Sequence, residues 1–359
     1  MPDLPLIHPA RLDAEAQATY EAFVADILGR SRYRIADGHA ARVADLVAER
    51  LALGPDWSVL PLRSGTDALV RALRLSGVGA GDEVVVPDLA FHAVAASVLE
   101  LGAVAVAADI SPVDWNLDPA SVERCLTSRT AAVVAVDNYG TPVDLAPLAA
   151  VTRAAGVPLV LDACESLGAE YPDGGPDRFA DLVVTSFSFT KPVHAAGMGG
   201  ALCGPTSLLE GARRSPLLLG PQLQLPELNA AYLVAAWPAL DANLARLRAV
   251  HETYVTAGAA LGCTTQGGSA RSTRLHTGLL APSTAERDRL VAALGALGVP
   301  TRDYFPSQSR LLGLGAPPTI SADVADRVFC LPGGPAMPEE DLRIVLDALA
   351  TCGSVTAAA

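Results

Sequence analysis

The sequence predicts an α/β fold, with a large domain built on a mostly parallel sheet of about seven strands and a smaller α+β C-terminal domain. Three observations predict it. Short runs rich in β-branched residues recur from residue 58 onward, and segments with helical periodicity separate most of them. The runs are apolar throughout rather than alternating, as strands buried on both faces must be. A long helical stretch, Glu227–Gly262, then leads out of that alternation.

Residues 1–55 read as an N-terminal arm and helices, with Val43, Ala44, Leu46, Val47 and Leu51 at helical spacing. Arg30, Arg32 and Arg34 lie there, and a solvated or interface role suits them better than a phosphate contact. The strand candidates follow as SVLPL (58–62), EVVVP (83–87), VAVAAD (104–109), AVVAVD (132–137), PLVLDA (158–163), LVVTS (182–186) and GALC (200–203). Asp67–Leu75 and Leu145–Ala155 are among the intervening helices. Glu227–Gly262 reads as one or two helices, kinked or broken at Pro238. The remainder supplies a strand-like LHTGLLA, a helix over Thr284–Leu297 and a last helix over Glu339–Thr351, followed by a frayed SVTAAA tail. The expected division is 1–240 for the arm and large domain and 241–359 for the small one.

Composition excludes several classes. A formal net charge of -13 over 359 residues argues against nucleic acid or an anionic membrane surface as partner. The opening residues lack a basic stretch followed by an apolar run, so no signal peptide is expected. The most apolar stretch, Ala93–Ala108, is interrupted by Glu100 and Gly102 and is too short to span a bilayer. Six cysteines are scattered without a CxxC pair, which disfavours a metal site and suits reduced thiols of a cytoplasmic protein.

Lys191 is the only lysine in the chain. Arginine replaces lysine on a surface but cannot lose its proton near neutral pH, and imine chemistry needs a free amine. Three further stretches fall at the expected ligand edge of the sheet. Arg63-Ser64-Gly65-Thr66 joins a strand to a helix, so its backbone N–H groups and the helix dipole favour an anion, although SGT is equally an ordinary N-cap. Asp162 ends a very apolar strand and needs a partner, which a protonated pyridine nitrogen would be and a helix cap would also supply. Phe91 follows a strand and a turn, where its face suits a flat cofactor as well as it suits a core. Ser186 precedes Lys191 with a hydroxyl for a phosphate. Together these describe a site for pyridoxal 5'-phosphate (PLP).

SGTDAL, GxGDEVVVP, Asp162 through Ala169, Tyr139-Gly140 with Pro142 and Asp144, and SFSxxK with the following GxGG together resemble the DegT/DnrJ/EryC1/StrS aminotransferases. The resemblance covers residues 60–205 and returns in ADRVFCLPGGPAMPEEDL. It implies PLP-dependent fold type I, with amination of keto-sugars and cyclitols for antibiotics and surface polysaccharides. By this resemblance Lys191 forms the imine and shuttles the proton, and Asp162 pairs with the pyridine nitrogen. Glu165 lies by the cofactor's 3-hydroxyl, where many members have glutamine. Phe91 stacks on the ring, and Gly65, Thr66 and Ser186 bind the phosphate. It also implies a homodimer whose sites are completed by the partner chain.

Three departures stand out. The turn after the lysine, Gly197-Met198-Gly199-Gly200, comes one residue later than in relatives, and His194 within that loop is either a substrate contact or a plain loop residue. Relatives carry Asn-x-Arg where this chain has Gln222 and Gln224; Gln222 still donates a hydrogen bond toward a partner's phosphate, but Gln224 supplies no charge. The usual histidine is missing from RDYFPSQSR. A substrate without a nucleotide is therefore expected. The expected reaction is transfer of an amino group from glutamate or glutamine to a keto-sugar, ketocyclitol or related small ketone. The alternatives are another PLP reaction on the same scaffold (elimination, decarboxylation or ring formation) and a catalytically silent binding protein. Retention of Lys191 argues against the histidine-bearing dehydratase branch of the family.

Overall fold

Alternate residues of the central strands point into different hydrophobic clusters, and this places the sheet between two helical layers. Val85, Val133, Ala135, Leu159, Leu161 and Val183 belong to one cluster; Val84, Val86, Ala132, Val134, Val160 and Val184 belong to the other. A strand buried on both faces has no polar side to show, which is why these runs are apolar at every position. The arrangement is seen in a computed structural model, which describes residues 4–31, 38–171, 173–215, 220–268 and 272–356. Arg32 and Arg34 lie outside the described residues.

The strands are β1 (Trp57–Leu62), β2 (Glu83–Pro87), β3 (Val104–Ala108), β4 (Thr130–Val136), β5 (Leu159–Asp162), β6 (Leu182–Ser186) and β7 (Gly200–Pro205). Their order is β1-β7-β6-β5-β4-β2-β3. Strand β7 runs antiparallel to β1 and β6, and the remaining pairs are parallel. Helices Gly65–Leu75 and Ala93–Glu100 cover one face with Leu69, Leu73, Val94 and Val98. His39–Arg50, Leu145–Ala155 and the start of Leu240–Ala259 cover the other with Val43, Leu148 and Leu244. Parallel strands end together, so the loops after β2, β4, β5 and β6 share one edge.

At Pro238 the helical stretch is broken, as its missing N–H and fixed φ require, into Glu227–Ala236, a 3-10 turn and Leu240–Ala259. The C-terminal region forms a second, antiparallel sheet, ordered β10-β9-β8, from β8 (Thr264–Thr265), β9 (Gly278–Leu280) and β10 (Val328–Cys330). The strand expected over LHTGLLA thus shortens to Gly278–Leu280, and Leu275 to Thr277 run irregularly toward the large sheet. The last helix continues past Thr351 to Thr356. Val250 and Tyr254 of the long helix pack in the C-terminal core, whereas its Leu244 and Leu247 pack on the large sheet. A boundary at 240/241, which assigns this shared helix to the small domain, remains our proposal. Among the described residues no helix is long and apolar enough to cross a membrane, and no group of acids, histidines and cysteines could hold a metal ion.

Gly200, first in β7, lies against the turn after β1. A Cβ there would stand 2.4 Å from Gly65 N and from the Ser64 carbonyl carbon. Backbone cannot swing aside as a side chain can, so Gly200→Ala is expected to lose about 2–3 kcal/mol of stability. Urea unfolding of the two proteins measures the difference.

Candidate functional site

Four chain segments converge at the common strand edge, and burial decides how their charged groups behave. Asp162 is the last residue of β5 and is 8% exposed. Its Oδ1 accepts the Cys164 N–H at 3.0 Å, and the Cys164 thiol also donates to it. Burial raises the Asp162 pKa, and the Cys164 donors and Lys191 offset this only in part. Three residues on, Glu165 Oε1 accepts from Lys191 Nζ at 3.0 Å and stands 3.6 Å from His276 Nε2. Burial pushes this carboxyl up, but Lys191 and then His276 outweigh it and hold it at about 2. Burial also pushes the Lys191 amine down; Glu165, Cys164 and Asp162 more than reverse this, so its pKa is raised and the group is an ammonium. Glu165 Oε2 is buried without a hydrogen-bond partner.

The turn after β1 opens the helix Gly65–Leu75. Ser64 caps it, accepting the Asp67 N–H at 3.0 Å and donating to the Asp67 carboxylate at 2.7 Å. Gly65 lies so close to β5 and β6 that a Cβ would stand 2.9 Å from Cys164 Sγ and 3.4 Å from Ser186 Oγ. The cradle turn after β1, the Asp162 loop and the Ser186 strand end therefore meet at one place, where the Cys164 and Ser186 side chains leave no room for a side chain at 65. Thr66 is exposed beside it. Phe91 is exposed on the turn after β2, its ring 4.1 Å from that of His92. Gln222 is exposed on the 3-10 turn 221–223, which the Arg63 N–H binds through the Leu223 carbonyl at 2.8 Å. Gln224 is exposed next to it, in a bridge with Leu62. The structure thus joins Asp162, Glu165 and Lys191, and joins Gly65 with Ser186. Among the described residues Thr66, Phe91 and Gln222 make no side-chain hydrogen bond or ion pair to either group.

His276 was not singled out by the sequence. Its ring stacks on Tyr304 at 3.8 Å and 19°. Thr273 pins the approaching chain, its hydroxyl donating to the Glu165 carbonyl at 2.7 Å and its N–H to the Gly140 carbonyl at 3.0 Å. Glu165 lies 111 positions before His276 and Tyr304 lies 28 after it, so no local pattern could mark it.

His194 is a loop residue. Its Nε2–H donates to the Ala10 carbonyl at 3.0 Å, its Nδ1 accepts the Ala196 N–H at 3.1 Å, and the ring stacks on Tyr232. Beneath the site Asp137, fully buried, accepts from Ser166 and Tyr171 and from the Val143 N–H. Burial outweighs those donors and pushes its pKa up to about 7.

A sequence profile of the DegT/DnrJ/EryC1/StrS aminotransferase family matches residues 54–350. The chain is 31% identical over 349 residues to the erythromycin biosynthesis sensory transduction protein EryC1 of Saccharopolyspora erythraea, covering 91% of this chain and 95% of that one. It is 41% identical over 143 residues to the L-glutamine:2-deoxy-scyllo-inosose aminotransferase of Micromonospora echinospora, a match to 40% of this chain and 34% of that one. Among solved structures, DesV of S. venezuelae superposes with a TM-score of 0.85 at 27% identity, covering 98% of this chain and 99% of that one.

A carboxyl raised from 3.8 to about 7 on folding holds a proton that the unfolded chain has already released. Its contribution to stability is complete below about pH 4 and is lost as pH rises through about 7. Asp137→Asn is expected to flatten that part of the decline, which thermal melts of both proteins at pH 5 and pH 8 detect.

Proposed function

The chain belongs to the DegT/DnrJ/EryC1/StrS aminotransferase family and is a PLP-dependent aminotransferase, and we propose that it carries an amino group from glutamate or glutamine to a keto-sugar or ketocyclitol that bears no nucleotide. One observation carries the assignment of the site. The sole lysine is buried at the strand edge with its amine on Glu165, beside the buried carboxylate of Asp162.

These residues fit PLP. Glu165 Oε2, buried without a partner, is an acceptor for a ring hydroxyl. The Gly65 backbone packs directly against Cys164 and Ser186 at a helix N-terminus, a setting whose N–H groups and hydroxyl suit a phosphate. Bound PLP supplies a conjugated, protonated ring that withdraws electrons from the substrate carbon. In our reading Asp162 accepts the ring N–H and keeps that nitrogen protonated. The Gly65 and Thr66 N–H groups and the Ser186 hydroxyl hold the phosphate, and Phe91 covers the ring. Lys191 would move the proton between the substrate carbon and the cofactor's C4' within each half of the cycle, in opposite directions.

The absence of a nucleotide rests on Gln224, a neutral side chain where relatives carry an arginine, and on the similarity to a scyllo-inosose enzyme. The loop after Lys191 gives no support to elimination or ring formation. Its first part is fixed by the bonds of His194, by Asn229 Nδ2 on the Ala195 carbonyl at 2.6 Å and by Asn243 Nδ2 on the Pro192 carbonyl at 2.8 Å. We also infer a cytoplasmic homodimer. Six free cysteines support the compartment, and Gln222, exposed beside the cradle, supports sites shared between chains.

Glutamine or glutamate is expected to convert bound PLP to its amine form, seen as loss of visible absorbance. Lys191→Ala is expected to slow this by at least about 10³-fold. Absence of conversion with every amino acid tried sinks the aminotransferase assignment. In the second half-reaction a ketocyclitol is expected to restore the colour and a nucleotide-linked keto-sugar to fail; the reverse overturns the substrate proposal.

A further inference from the structure

Lys191 cannot at once bond to a carbonyl carbon and remain an ammonium donor to Glu165. Whenever the lysine is engaged, a carboxylate only 10% exposed loses the partner that its Oε1 now has, while Oε2 has none to begin with. A buried carboxylate left unpaired is strongly disfavoured, and its ordinary recourse is to take up a proton. Asp162, which interacts electrostatically with Glu165, has the wrong sign.

We propose that His276 is the second nitrogen partner of Glu165, a positioning residue that holds this carboxylate in place while Lys191 is covalently occupied. The inference rests on the reading that Glu165 faces bound PLP. Its basis is geometric. His276 Nε2 stands 3.6 Å from Glu165 Oε1, and the imidazole is itself 11% exposed. The ring is not free to turn away. It lies flat on Tyr304, with Phe305 at its edge at 6.3 Å and Arg302 stationed 5.2 Å over the Tyr304 ring. Before it in the chain, Thr273 is bonded to the Glu165 backbone; after it, the Thr277 hydroxyl meets His251 Nδ1 at 3.1 Å. The same stretch that carries His276 is thus fastened to the residue it serves. A shift of a few tenths of an ångström brings the pair to hydrogen-bond distance. Glutamate and histidine make a matched set here, because a buried carboxylate at 165 loses more than an uncharged amide when a partner leaves.

The test is a double-mutant cycle on PLP affinity, using His276→Phe, Glu165→Gln and the two combined. Phenylalanine keeps the stack on Tyr304 and removes the ring nitrogens. Ligand-free His276→Phe is expected to melt close to the wild type, since Lys191 still pairs with Glu165, yet to bind PLP at least about 10-fold more weakly. In the Glu165→Gln background the same substitution is expected to cost no more than about 2-fold. An equal loss in both backgrounds, or no loss in the first, overturns the proposal. If His276→Phe lowers the ligand-free melting temperature, His276→Asn carries the same comparison. A wild-type protein that binds no PLP defeats both this inference and the reading beneath it. PLP binding that depends on Lys191 and is indifferent to His276 defeats this inference alone.

Discussion

Taking an ammonium and a carboxylate out of water costs several kcal/mol for each ion, and their attraction repays that cost only where the geometry is held. Lys191 and Glu165 meet that condition because each is fastened from behind. Glu165 follows β5 by three residues, and its carbonyl is bonded by Thr273. Lys191 closes a turn onto the Ser188 carbonyl at 2.9 Å just beyond β6. The two strands are hydrogen-bonded neighbours, so the pair is set by the register of the sheet. What surrounds it follows from that placement. Glycine is needed where β1, β5 and β6 loops crowd together, and the C-terminal region must reach across to complete the wall.

Much of this was legible in the sequence, for reasons that lie in the residues. Apolar runs such as EVVVP and LVVTS coincide with β2 and β6 because a strand covered on both faces has no polar position to blur its ends. Lys191 stood out in a chain that otherwise uses arginine, and Asp162 stood out against the apolar run before it. His276 had no such contrast. Its meaning comes from Glu165 and Tyr304, which only the folded chain brings near. His194 shows the opposite case. Its position near the lysine suggested chemistry, but Ala10, far off in the N-terminal arm, takes up one ring nitrogen.

The departures from relatives differ in weight once placed in space. The longer loop after Lys191 is absorbed into packing, with Val193 and Ala195 buried. Gln222 and Gln224 stay exposed beside the cradle, and both are neutral. The interior pairing and the neutral rim are thus separate features of this chain, one buried and one exposed.

Strand β1 sits at the sheet's edge and joins it through β7 alone, Trp57 lying opposite Pro205 and Leu62 opposite Gly200. Pairing residues so far apart closes a very large loop, and long-range closures of this kind come late in folding. The turn at Ser64 and Gly65 is carried on the end of β1, so the anion cradle cannot take shape until β7 has been synthesised and has docked. A nascent chain that already displays Asp162, Glu165 and Lys191 therefore still lacks the Ser64–Gly65 turn in its final place, because that turn waits on a strand made after the lysine.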